Sequence, residues 1–150
     1  MTTINTVAGA ILVAFGLFLI GLAVVVFAKP AVAERFFTAF ASSARAHYTE
    51  QVVRLLVGAS LVVRSANVRS SIIRSAAMWQ PKVFWFVGWA IVLSSSVLIL
   101  TPWQWHHRFA TILRPMFIRR MKLYAVGLLV FGALLLYGMF AAVSPSAGIS

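Results

Sequence analysis

Two stretches of this chain, residues 4–28 and 123–150, run for 25 and 28 residues without a single charge. An α-helix rises 1.5 Å per residue, so about 20 apolar residues cross a hydrocarbon core about 30 Å thick. Each run exceeds that length, and the chain reads as an integral membrane protein. Composition agrees: 62% of residues are hydrophobic, mean hydropathy is +0.97, and 13 Lys and Arg face only two acids, Glu34 and Glu50. With 150 residues divided among several spans and their connections, no length remains for a separate soluble domain, and 1–150 is read as one membrane domain.

The formal net charge of +11 raises the question of nucleic acid. The basic residues, however, lie between hydrophobic segments, at the depth of lipid headgroups, so anionic lipid is the expected counter-charge and nucleic acid is not an expected partner. The absence of cysteine excludes disulfides and thiolate metal sites. Ala31-Val32-Ala33 imitates a signal-peptide cleavage site, but residues 1–6 carry no Lys or Arg and the apolar run is far longer than a signal h-region. The first run is therefore expected to be a span, with Pro30 opening an interfacial helix after it.

Residues 83–100 form a third uncharged stretch of 18 residues, with Trp79, Trp85, Trp103 and Trp105 placed as aromatic belts. A fourth segment, 51–66, is apolar from Leu55 to Val63 but bounded by Arg54 and Arg64. Glu50 stands four residues before Arg54 in the favourable helical order, and both side chains can snorkel. An internal repeat favours a span here. An offset of about 73 residues lays Arg35-Phe36-Phe37-Thr38 on Arg108-Phe109-Ala110-Thr111 and Leu55-Leu56-Val57 on Leu128-Leu129-Val130. Gly58-Ala59-Ser60-Leu61 falls on Gly132-Ala133-Leu134-Leu135, Lys29-Pro30 on Thr101-Pro102, and Gly16 on Gly88. The expected fold is all-α: a polytopic bundle of four transmembrane helices, near 4–28, 50–66, 82–101 and 121–143, arranged as two hairpins by tandem duplication, with parallel rather than inverted repeats.

Basic residues set the orientation. Nine lie on one side (Lys29, Arg35, Arg45, Arg54, Arg108, Arg114, Arg119, Arg120 and Lys122) and four in the middle connection (Arg64, Arg69, Arg74 and Lys82). The first group is expected in the cytoplasm and the termini in the periplasm. A three-span chain with 29–82 wholly cytoplasmic is the alternative. Residues 31–41, with Ala33, Phe36, Phe37 and Phe40 at helical spacing, and 103–118, with Trp103, Trp105, Phe109, Ile112, Leu113 and Phe117, read as interfacial helices, with Pro115 breaking the second to turn the chain into the last span. Arg108, Arg114, Arg119, Arg120 and Lys122 are the candidate contacts for anionic lipid.

Small residues recur at seven-residue steps: Gly9, Gly16 and Ala23; Gly88 and Ser95; Ala125 and Gly132. Such stripes let helix backbones approach closely, within the chain or against another subunit. Ser94, Ser95 and Ser96 can line a polar path or bond back to their own helix. Catalysis has little support. There is no aspartate, and no phosphate loop, nucleophile elbow or zinc-protease motif is present. Neither cofactor nor metal is expected. His47, His106 and His107 would share one membrane side and could meet a metal, haem or quinone head, but they have no ligand spacing, and interfacial residues are the plainer reading.

The segments Phe40-Ala41-Ser42-Ser43-Ala44-Arg45-Ala46-His47-Tyr48, Leu55-Leu56-Val57-Gly58-Ala59 and Pro102-Trp103-Gln104-Trp105-His106-His107-Arg108-Phe109 resemble those of small uncharacterised integral membrane proteins of proteobacteria. The resemblance covers most of the chain, implies a bacterial inner membrane and assigns no activity. The basic connection from Arg64 to Trp79 is longer than in that group. The functional expectation is a non-catalytic inner-membrane protein, a structural, assembly or accessory subunit with a membrane-protein partner or a second copy of itself. Small-molecule transport or lipid handling is the alternative, and a His-ligated redox or pigment protein a third.

Overall fold

The computed structural model describes residues 2–40, 43–71 and 80–141. Six helices follow one another: α1 Thr2–Ala28, α2 Pro30–Phe40, α3 Ala44–Ser71, α4 Gln80–Leu100, α5 Trp103–Arg119 and α6 Met121–Ala141. Among the described residues, 96% are helical and none is in a strand. The order of long, amphipathic, long helix thus occurs twice. Arg35 and Arg108 are each the sixth residue of their amphipathic helix, α2 and α5.

The breaks between helices are chemically explicit. At the α1–α2 junction the Lys29 carbonyl accepts the N–H groups of both Val32 and Ala33, while Pro30 takes the first helical position, where its missing N–H costs nothing. Ser43 begins α3: its carbonyl accepts from His47 N–H and its hydroxyl from Ala46 N–H, as an N-cap side chain does. Pro115 does not break α5 as expected. The helix continues to Arg119 and the chain turns at Arg120, whose carbonyl accepts from Leu123 and Tyr124. Pro115 and Thr111 are both exposed, so the Thr111 carbonyl that loses its proline-side partner faces outward, where other donors can reach it.

Three helices are long and apolar enough to cross a membrane: 3–28 in α1, 81–100 in α4 and 121–139 in α6. The expected fourth span does not meet that standard. Helix α3 is 28 residues long, but Arg45, Glu50, Gln51, Arg54, Arg64 and Asn67 dilute its apolar run. The middle connection is also shorter than the sequence suggested, because α3 carries Arg64 and Arg69 within the helix. Arg74 and Trp79 lie outside the described residues, as do 142–143 of the last expected span.

Each long helix buries one stripe and exposes the rest. In α1 the buried residues are Ala8, Leu12, Gly16, Leu19, Ala23 and Val26; in α6 they are Met121, Ala125, Gly132, Leu135 and Met139. These recur at steps of three, four or, from Ala125 to Gly132, seven residues, the spacing by which antiparallel helices interlock along a seam. Helix α4 presents Gly88 and Ser95, with Phe84, Ile91 and Leu98 half-buried beside them, to α3. The closest pairings are α3 with α4 and α1 with α6, while α1 and α3 join the two pairs. This differs from two consecutive hairpins. Helices α4 and α6 meet through Phe84, which fills the space a side chain on Gly138 would need. At their other ends they are joined by α5, whose 17 residues span about 25 Å. They splay apart there.

Candidate functional site

Among the described glycines, close approach to the backbone of another helix occurs at two crossings, and a glycine pair makes each. A β-carbon on Gly132 would stand 2.9 Å from the Gly16 carbonyl oxygen, and one on Gly16 would meet Leu136 at 3.0 Å. In the second crossing, a β-carbon on Gly88 would lie 2.9 Å from the Gly58 carbonyl oxygen, and one on Gly58 2.9 Å from Val92. Of the packing residues expected from the sequence, Gly16, Ala23, Ala125 and Gly132 fall in the α1–α6 seam, and Gly88 and Ser95 in the α3–α4 seam. Gly9 does not join them, for no atom lies within 4 Å of a β-carbon placed there. Ala8, one residue earlier, takes the buried place. The sequence stripes missed Gly58, although the run Gly58-Ala59-Ser60 is a small-residue signal of the same kind.

The α3–α4 seam also encloses polar groups. His47, Gln51 and Ser95 are buried, Gln51 and Ser95 completely. His47 Nε2 lies 3.2 Å from the Leu98 carbonyl oxygen, and its ring meets Tyr48 edge-on at 5.1 Å. Gln51 follows His47 by four residues on the same face of α3. The antiparallel register that sets His47 against Leu98 and Leu61 against Gly88 puts Gln51 near Ser95. Neither amide atom of Gln51 nor the Ser95 hydroxyl has a hydrogen-bond partner among the described residues. The neighbouring serines are satisfied differently, Ser94 donating to the Ile91 carbonyl and Ser96 to that of Val92. The serine cluster therefore forms no polar path of three hydroxyls: two bond to their own helix, and one points into the seam. The burial of Gln51 was not anticipated from the sequence.

On the face where α2 and α5 lie, aromatic packing ties the helices together. Phe37 of α2 meets Phe117 of α5 edge-on at 5.0 Å, and Phe117 stacks on Tyr124 of α6 at 4.7 Å. Ala23, Val26, Ala33, Met121 and Ala125 form the apolar cluster beside them. Arg108, Arg114, Arg119, Arg120 and Lys122 are all exposed on or beside α5, as are Lys29 and Arg35 on the α2 side. Arg54 pairs with Glu50, one helical turn away. Of the three histidines, the structure describes the side chains of His47 and His107. His47 is buried in the seam, and His107 is exposed on α5 with its ring 5.6 Å from that of Trp103. The side chain of His106 lies outside the described residues. Among the described residues no group of three His, Cys, Asp or Glu is placed to hold a metal ion.

Comparison with protein-family models, curated proteins and solved structures yields no match.

Proposed function

We propose that this is a non-catalytic, multi-pass inner-membrane protein that serves as a structural or accessory subunit of a larger membrane assembly. One observation carries the reading. Helix α4 has only 11% of its spanning window buried, against 28% for α1 and 22% for α6, and its outer half shows Trp85, Phe86, Trp89, Leu93, Val97 and Leu100. An aromatic-rich face of this kind suits a protein interface, where tryptophan and phenylalanine are enriched. The glycine stripes no longer support a partner, since Gly16 and Ala23 are used within the chain.

In this reading α3 also spans, giving four crossings with the termini in the periplasm. Its 28 residues reach about 42 Å and it lies along both α4 and α1, with Arg54 paired to Glu50 near one end. The repeat is read as a tandem duplication with parallel halves. Exchanging α1 with α4 and α3 with α6 turns the Gly16–Gly132 crossing into the Gly88–Gly58 crossing, so the two seams are equivalent.

The test is site-directed photo-crosslinking in membranes, with the reactive group at Leu93 of α4 or at Val130 of α6. A discrete adduct with a larger membrane protein from Leu93, and none from Val130, is the expected result. Adducts to lipid alone from both positions would remove the accessory reading. Lipid handling is the second reading, favoured by the opening between α4 and α6.

A further inference from the structure

The two amphipathic helices are not equally covered. In α2, Ala33 is buried and Phe37 packs against Phe117, while Phe36 lies 6.4 Å from Phe18. In α5, Trp103, Ala110, Leu113, Phe117 and Ile118 are partly covered, but a second set of apolar residues is not. Trp105, Phe109, Ile112 and Met116 are spaced four, three and four residues apart and so share one face, and all are exposed, Trp105 at 72% and Ile112 at 75%.

Depth and charge identify what covers this face. Helix α5 starts three residues after α4 ends and stops two residues before α6 begins, so it lies where two apolar spans leave the hydrocarbon, at the boundary between acyl chains and headgroups. An amphipathic helix there buries its apolar face among acyl chains. Arg108 precedes Ile112 by four residues and follows Trp105 by three; Arg119 follows Met116 by three. Both therefore border the exposed apolar face. Arg114 stands two residues from Ile112 and from Met116 and points elsewhere. No carboxylate side chain follows Glu50 in the sequence, so nothing on α5 or its flanking spans neutralises these guanidiniums. An arginine fork matches a phosphodiester well.

The geometry points to α5 as a binding site for an anionic phospholipid, seated at the open end of the α4–α6 splay. Its acyl chains lie on Trp105, Phe109, Ile112 and Met116, and its phosphodiester is held by Arg108 and Arg119. This site does not depend on the accessory-subunit reading and requires only that α4 and α6 span.

Native mass spectrometry of the full chain in mild detergent, titrated with phosphatidylglycerol and with phosphatidylcholine of the same acyl chains, tests it. Phosphatidylglycerol should bind one per chain and at least tenfold more tightly. R108Q/R119Q should weaken it by roughly thirty-fold, about five-fold per charge lost, whereas R114Q should change it less than two-fold. R108K/R119K should recover most of the affinity. The unfolding temperature of each variant reports retention of the fold, and R119Q alone, at about five-fold, carries the test if the double variant does not accumulate. Equal binding of the two lipids, an equal loss from R114Q, or a dimer that excludes lipid would overturn the proposal; the last would give the face to a second copy of the chain.

Discussion

Gly16 and Gly132 sit so close across the α1–α6 seam that a β-carbon on Gly132 would stand 2.9 Å from the Gly16 carbonyl oxygen. Atoms cannot be added there unless the helices separate, and separation opens the interlocked stripe of Leu12, Leu19, Leu135 and Met139 that forms the main apolar cluster. In lipid this loss is of van der Waals packing rather than hydrophobic driving force.

Gly132→Leu is expected to destabilise by at least about 1–3 kcal/mol, as is typical of overpacking, because the rigid Gly16 carbonyl stands opposite. Gly16→Leu should destabilise as well, since it meets the Leu136 side chain first and the Gly132 carbonyl, 3.3 Å away, behind it. Gly58→Leu and Gly88→Leu should do the same in the α3–α4 seam. Gly9→Leu and Gly127→Leu, with no atom within 4 Å, should be nearly neutral. Thermal unfolding in detergent, followed by loss of the monodisperse chromatographic peak, separates the two groups. Similar behaviour of Gly9→Leu and Gly16→Leu would mean the seam is placed wrongly.

Gln51 and Ser95 set up a test of the opposite sign. A buried amide without partners carries its full desolvation penalty, and replacement by an apolar residue of similar volume removes it. Gln51→Leu is expected to raise stability by about 1–3 kcal/mol, and Ser95→Ala to be neutral or slightly stabilising. The unfolding temperature of each variant in one detergent measures this. A clear loss of stability in Gln51→Leu would show that the amide is satisfied by a bound water that the variant expels.

Most of the fold was legible because lipid demands long apolar runs, and three of the four expected spans follow from those runs alone. Helices α2 and α5 were legible as short amphipathic helices from aromatic spacing. Helix α3 was harder, since its burial comes from contact with α4 and α1, and a polar residue such as Gln51 reads as interfacial when its neighbour across the seam is unknown. Pairing was not legible either. Short connections favour consecutive hairpins, whereas the tightest contacts follow the glycine crossings, one of which joins helices far apart in the sequence. The basic residues Arg108, Arg114, Arg119, Arg120 and Lys122 were legible as an exposed group, and the helical register of α5 sets Arg108 and Arg119 beside Trp105, Phe109, Ile112 and Met116 and Arg114 on the opposite side.

The direction of α3 can be read by labelling, because the chain has no native cysteine to interfere. Ser43→Cys lies just before α3, and Ser71→Cys is at its last residue. If α3 crosses the membrane, an impermeant reagent applied from the periplasm should modify Ser71→Cys and leave Ser43→Cys untouched until the membrane is broken. Modification of both from one side would place α3 along the surface and leave a three-span chain.

Asn5 of α1 and Asn67 of α3 make a side-chain hydrogen bond between helices, the Asn67 amide donating to the Asn5 carbonyl oxygen, while Asn67 also donates to the Val63 carbonyl one turn back. The bond joins the two halves of the looser α1–α3 contact near the start of α1, far from the glycine crossings. Inter-helix hydrogen bonds in membranes are worth about 0.6 kcal/mol on average and rarely above about 1.7, because the separated helices find other partners. A double-mutant cycle with Asn5→Ala and Asn67→Ala should therefore give a coupling of about 0.5–1.5 kcal/mol, with Asn67→Ala alone the costlier change since it also removes the second donor to the Val63 carbonyl, which keeps its helical bond. Unfolding free energies in a mixed detergent titration supply the four corners of the cycle. A coupling near zero would mean that α1 and α3 are held by their apolar contacts alone, with the asparagines bonded elsewhere.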